Sequence, residues 1–248
     1  MLPMAVPTPN PPASRASRLG PTSFWAALLL VYTYTLWLML RIVLQYTSLR
    51  PDVAFLAIKQ DYTPLLHYRI AFFVHVFSSG FALLAAYSQF STRLRLRYRG
   101  LHKWLGRLYA YVVIFLAGPS GLVIGLYANG GLGSRLAFCL LAVLWVGFTL
   151  IALGKIRARP PQIEAHAQWM IRSYALALSA ITLRAWKVVI IYAFHPHPMD
   201  AYRIVAWLGW TLNLLLAEVL IRYLVRRKAR LAYQRAGRTR LVAQEING

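Results

Sequence analysis

His166–Arg184 reads HAQWMIRSYALALSAITLR. With the apolar residues that follow, it makes a helix long enough to cross a bilayer, which takes about 20 mostly apolar residues. At about 100° per residue, His166, Ser173, Ala177, Ala180 and Arg184 fall on one narrow stripe. An ionisable side chain deep in a membrane helix is costly and faces protein or a water-filled cavity. The small residues between His166 and Arg184 let another helix, or a bound molecule, approach closely. The stretch therefore predicts a membrane helix with an inner face, and places candidate functional residues on that face.

The rest of the chain agrees with a membrane setting. Of its 248 residues 59% are hydrophobic and only 14% charged, and its mean hydropathy is +0.51. Soluble domains are nearer half apolar and about a quarter charged. There are 28 Lys and Arg against six Asp and Glu, a formal charge of +22. On a soluble protein that excess would suggest nucleic acid. Here the basic residues cluster in loops and tails, as orientation by the positive-inside rule requires, so the expected partners are the bilayer and its anionic lipid headgroups, and no nucleic acid. Cys139 is the only cysteine, which excludes an internal disulfide and a thiolate metal centre.

Six apolar segments of spanning length are predicted near 24–46, 67–90, 105–128, 134–154, 169–193 and 203–225. The second connection is strongly basic, with Arg93, Arg95, Arg97, Arg99, Lys103 and Arg107; the fourth carries Lys155, Arg157 and Arg159. Both ends of the chain are basic too, whereas the third connection, ANGGLGS, is a tight turn. This alternation predicts an all-α polytopic protein of six transmembrane helices, both termini cytoplasmic. Residues 1–22 read as a disordered tail, 23–228 as the membrane domain, and 229–248 as a basic cytoplasmic tail. RLRLRYR at 93–99 alternates like a strand, but between two spans it reads as a loop or interfacial turn.

Several residues suit chemistry. His102 and His166 both sit at cytoplasmic helix starts and share a depth. Two imidazoles from different helices can hold one b-type haem between them; the alternative is that each hydrogen-bonds near its helix start. No other metal centre is expected. In the outer half, His75 lies about 12 Å and Arg184 about 13 Å below the outer helix ends, at 1.5 Å per residue. They are the candidate lining of a ligand cavity. Gly118-Pro119-Ser120-Gly121 should kink the third span and free carbonyls nearby, and Gly121 with Gly125 suits helix packing. Glu218, the only acidic residue inside a predicted span, has Arg222 at i+4 as its expected partner. Arg41, Arg69 and Lys187 can snorkel to water, and most Trp and Tyr residues suit interface belts.

Two stretches taken together, HKWLGRLY at 102–109 and HAQWMIRSYALALSAITLR at 166–184, resemble a family of bacterial multi-pass membrane proteins, domain-of-unknown-function family 2306. The resemblance covers roughly 67–190. It implies a four-helix core, helices 2–5, flanked by helices 1 and 6, and no particular activity. The matching positions are His67 or His75, His102, Gly106, Arg107, His166, Trp169, Met170, Arg172 and Arg184. A weaker similarity is to two-haem membrane cytochromes b, but helix 4 has no histidine, which leaves room for at most one bis-histidine site. Three functions follow as expectations: a redox protein with one b-type haem between His102 and His166; a carrier or receptor for a small anionic or lipidic molecule near His75 and Arg184; or a structural or regulatory subunit of another membrane protein.

Overall fold

The computed structural model describes residues 21–87, 89 and 92–247, with side chains described over 26–84, 89 and 95–234. Residues 1–20 of the expected tail at 1–22 lie outside the described residues, and 21–22 begin the first helix. Those described form helices and connections and no strand. In hydrocarbon every backbone N–H and C=O must be satisfied within the segment, and helices achieve this.

The first helix, α1 (Pro21–Leu44), is strongly apolar, and over Ala26–Leu44 almost none of it is buried. A 3-10 turn at Ala54–Ile58 leads to α2 (Leu66–Tyr87). The basic stretch expected as a loop is instead a short helix, α3 (Thr92–Arg97), with Leu96 exposed. The third span is composite: α4 (Arg99–Tyr111), a π-helical segment (Val112–Ala117) and α5 (Gly118–Leu126). Next come α6 (Leu132–Arg157), then α7 (Ile163–Ala177) and α8 (Ser179–Phe194), and finally α9 (Pro198–Asn247). At 1.5 Å per residue α6 is about 39 Å long, more than a bilayer's hydrocarbon core. Residues 229–247, expected as a tail, continue α9 as helix; before Gly237 they contain no breaker and many Arg, Ala and Leu, which favour helix.

Among the described residues four helical stretches are long and apolar enough to span a membrane, or five if α7 and α8 are taken as one bent span. A shared hydrophobic core joins several of these helices. α2, the α4–α5 span, α6 and α7 pack together; α1 lies on α2, and α9 lies on α6, α7 and α8. Its centre holds Leu83, Tyr109, Val113, Trp145, Leu176 and Trp210.

Two irregularities shape this core. Pro119 has no N–H to donate, and the turn before it is wound wider, so that Gly118 N donates to Val113 O, five residues back. A β-carbon at Gly118 would lie 2.2 Å from Val146 Cγ2 on α6, so only glycine fits the crossing. Gly125 lets α5 approach the Cys139 backbone of α6, while Gly121 leaves room for the His75 ring.

The second irregularity corrects the sequence reading. The fifth span is not one straight helix: it breaks at Leu178 and bends by 44°. No proline or glycine marks the place. The break is held from outside by Asn213 on α9, whose Nδ2 donates to Ala175 O and to Thr182 Oγ1, each at 3.0 Å. The Thr182 hydroxyl in turn donates to Gly209 O. His166, Ser173 and Ala177 thus lie on α7, whereas Ala180 and Arg184 lie on α8 and leave the common axis.

The ends of the bundle differ in chemistry. At one, Arg95, Arg99 and Lys103 of the second connection meet the start of α7 and Lys228 of α9. At the other, the 46–63 connection meets the 127–131 turn through Lys59, and Arg203 Nε donates to Gly130 O at 2.9 Å. Gly130 and Gly131 adopt φ of +85° and +80°, a backbone that favours glycine.

Candidate functional site

The middle of the bundle is closed by a ring of hydrogen bonds whose directions can be assigned. Thr149 Oγ1 donates to its own helix at Trp145 O, 2.8 Å. Its proton is thereby used, so Ser173 Oγ donates to Thr149 at 2.7 Å. Tyr109 OH must then donate to Ser173, also 2.7 Å, and Trp145 Nε1–H donates to Tyr109 OH at 3.0 Å. The ring starts and ends on Trp145, and no donor in it lacks an acceptor. Tyr109, Thr149 and Ser173 are fully buried. Unsatisfied polar groups there would be costly, and the ring ties α4, α6 and α7 together. Tyr109 and Trp145 are therefore core residues and not members of an interface belt.

On one side of this ring lie His75 and Arg184. His75 Nδ1 is 2.9 Å from Ala117 O, at the junction of the π segment and α5. A carbonyl only accepts, so Nδ1 carries the proton and a neutral ring keeps its lone pair on Nε2. The kinked third span thus supplies the carbonyl that orients His75. Arg184 follows a different course. One of its N–H groups returns to Ala180 O of its own helix at 2.5 Å. Among the described residues no carboxylate forms an ion pair with it. The guanidinium is exposed, yet it lies close enough to His75 on α2 and to Tyr46 after α1 to interact electrostatically with both. The bend at Leu178 explains this combination. α8 leans onto α9 and makes no comparable packing with α2 or α5, and Arg184 stands exposed within electrostatic reach of the half-buried His75.

His102 and His166 stand two turns from the ring members Tyr109 and Ser173, in matching register on α4 and α7. They are close enough for their charges to interact. Their rings serve different neighbours. His166 Nδ1 donates to Ala152 O on α6 at 2.8 Å. His102 lines a cavity bounded by α3, the start of α7 and α9, and His166 does not. A haem between them would need both rings to face one space, and this arrangement gives that reading no support. Among the described residues no group of three or more His, Cys, Asp or Glu is placed to hold a metal ion.

Three features went unseen in the sequence. Glu218 pairs with Arg172 on α7 and not with Arg222: Arg172 Nε meets Oε1 at 2.5 Å and a terminal nitrogen meets Oε2 at 3.0 Å. The planar fork matches the carboxylate in a way a neighbour on the same helix does not, and Arg172 also stacks on Trp169, 4.6 Å from the ring centre. Asn213 holds the break in the fifth span. Lys59 is the third. Only 2% exposed, its Nζ donates to Tyr127 O and Asn129 Oδ1 and lies 5.1 Å from the Tyr62 ring. Burial, with Arg135 nearby, pushes its pKa down to about 8. A buried lysine amid aromatic loop residues has no periodicity to betray it.

The comparisons with known proteins bear on the whole of this core. No curated protein and no solved structure matches the chain, so the likeness to membrane cytochromes b gains nothing from them. A family model described as "Predicted membrane protein (DUF2306)" matches residues 72–221, which takes in His75, the hydrogen-bond ring, both sides of the break at Leu178, and the Arg172–Glu218 pair. That match runs over more than half of the chain and through all four core spans, and the chain accordingly belongs to this family of predicted membrane proteins.

Proposed function

We propose that this membrane protein binds a small anionic or lipidic molecule in the crevice between Arg184 and His75, and acts as its carrier or receptor. The observation that carries the reading is the guanidinium of Arg184. It has five N–H donors, its one hydrogen bond goes to a carbonyl of its own helix, and it lies within electrostatic reach of His75 on α2 on a helix that does not pack against α2 or α5. A cation so placed in a membrane calls for an anion. His75 adds a fixed Nε2 lone pair that can accept a hydrogen bond from the same ligand. The open side of the crevice gives an amphiphile lateral entry from lipid.

The six-span reading, with both termini cytoplasmic in a bacterial inner membrane, belongs to this proposal. It is supported by the gathering of the second and fourth connections and α9 at one basic end. Binding of decanoate, a carboxylate amphiphile, to the detergent-solubilised protein tests the site by calorimetry. Arg184→Ala should abolish binding and Arg184→Lys restore it in part, because an ammonium lacks the planar fork. Unchanged binding in Arg184→Ala would make Arg184 a structural anchor and end the proposal.

A further inference from the structure

The cavity beside His102 has a different character from the Arg184 crevice and lies at the basic end of the bundle. Its volume is about 540 Å³. Arg95, Arg99, Lys103 and Lys228 line it, against the single carboxylate of Glu164. That carboxylate is committed to Lys228, 2.7 Å away. Arg95, Arg99 and Lys103 form no ion pair among the described residues.

Two helices also begin in its wall, α4 at Arg99 and α7 at Ile163, and neither has a side-chain cap. Helix N-termini present unpaired N–H groups and partial positive charge, the arrangement that receives phosphate. Besides His102 the remaining lining is apolar, and Leu96 and Ile163 are each 63% exposed there. Cations and N–H groups beside exposed aliphatic side chains match a molecule with a phosphate at one end and hydrocarbon at the other.

We infer that this cavity is a binding site for the phosphate group of an anionic phospholipid, seated between α3, the starts of α4 and α7, and α9. The site is independent of the Arg184 crevice. Ordinary positive-inside charge would attract lipid diffusely; a walled cavity with two uncapped helix starts selects a headgroup and holds it.

The full chain in nanodiscs of phosphatidylcholine, with and without phosphatidylglycerol, provides the test, with bound lipid read by native mass spectrometry. Arg99→Gln with Lys103→Gln should weaken phosphatidylglycerol retention by about a hundredfold, each removing a charged hydrogen bond to the phosphate worth about tenfold. Arg226→Gln with Arg230→Gln removes the same charge from α9 outside the cavity, and should leave retention nearly unchanged. Equal losses in the two variants, or no loss in the first, would overturn the site. Inorganic phosphate is titrated calorimetrically into the phosphatidylcholine sample as the other arm. Weak binding is expected without the chains; phosphate binding as tightly as the lipid would overturn the lipid assignment in favour of a soluble phosphate. Helix content by circular dichroism confirms that each variant is folded, and Arg184→Ala should retain phosphatidylglycerol as wild type does.

Discussion

Replacing Tyr109 by Phe removes one oxygen from a ring in which every proton has an assigned place, and its cost can be worked from that assignment. The Trp145 indole loses its acceptor and Ser173 loses a bond it accepted. The indole N–H is buried and rigid, with no carbonyl of its own helix in reach, so it is left unsatisfied, at about 1–3 kcal/mol. Side-chain hydrogen bonds between membrane helices average about 0.6 kcal/mol and reach about 1.7, so about 2 kcal/mol is expected in all. Thr149→Val also deletes two bonds of the ring, yet strands nothing: the Ser173 hydroxyl can turn to the carbonyl four residues back on α7, a bond serine makes readily in helices. Its cost should stay below about 1 kcal/mol on the same scale. Ser173→Ala strands the Tyr109 hydroxyl and should resemble Tyr109→Phe. Equilibrium unfolding in mixed micelles, followed by circular dichroism, measures the three. If Thr149→Val costs as much as Tyr109→Phe, the assigned directions are wrong and the ring is only a set of close contacts.

Other expectations follow from the remaining polar contacts. Lys59 has a folded pKa near 8 against 10.5 unfolded, so its protonated form is disfavoured in the fold by at most about 3 kcal/mol. Below pH 8 the penalty is present in full. Between about pH 8 and 10.5 the unfolded chain holds the extra proton, so stability rises with pH. The neutral amine keeps two N–H groups for Tyr127 and Asn129. The stability difference between wild type and Lys59→Met should therefore grow across that window in thermal unfolding at stepped pH, and a flat difference refutes it. Glu218→Gln should cost about 1–3 kcal/mol by weakening the charged hydrogen bonds to Arg172, and Arg172→Lys should cost nearly as much; a neutral result in thermal melts would mean the pair is dispensable. Reporter fusions after Gly130 and after the C-terminus should land on opposite sides of the membrane, and the same side for both would overturn the orientation. Protein purified from haem-replete cells should show no Soret band; a band that shifts on reduction would restore the haem reading.

The parts of this molecule that obey local rules were legible. Apolar runs of spanning length gave the helices, Pro119 marked the irregular third span, and identical offsets into two helices put His102 and His166 at one depth. What escaped was decided by contacts between segments distant in sequence. The break at Leu178 lies in SYALALSAITLR, a run without Gly or Pro, and is made by an asparagine more than thirty residues later. Glu218 has a suitable partner one turn away in Arg222, but a guanidinium fork from α7 outcompetes it. Tyr109 and Trp145 have the composition of interface residues and the burial of core residues, because each gives the other a hydrogen-bond partner. Amphipathic period could not separate these cases in a membrane, where the outer face of a helix is as apolar as the inner one.

The partners of the buried and membrane-embedded cations support the proposed site at Arg184. Three cations, Lys59, Arg172 and Arg184, meet their surroundings in distinct ways. Lys59 is held by a carbonyl and an amide oxygen, with a pKa that lets it lose its proton. Arg172 meets a carboxylate through two bonds and an indole face. Arg184 has neither answer: its one hydrogen bond goes back into α8, and its neighbours across the crevice are an imidazole and a phenol, neither of them anionic at neutral pH. The bend that takes α8 away from α2 also takes Arg184 away from any group that could neutralise it, and that bend is fixed by Asn213, Thr182 and Gly209 together. Asn213→Leu should straighten the fifth span and bring Ala180 and Arg184 back toward the stripe of Ser173 and Ala177. Decanoate binding should then fall without any change at Arg184 itself. If binding persists in a folded Asn213→Leu protein, the crevice does not depend on the break, and the link from the bent helix to the ligand is lost.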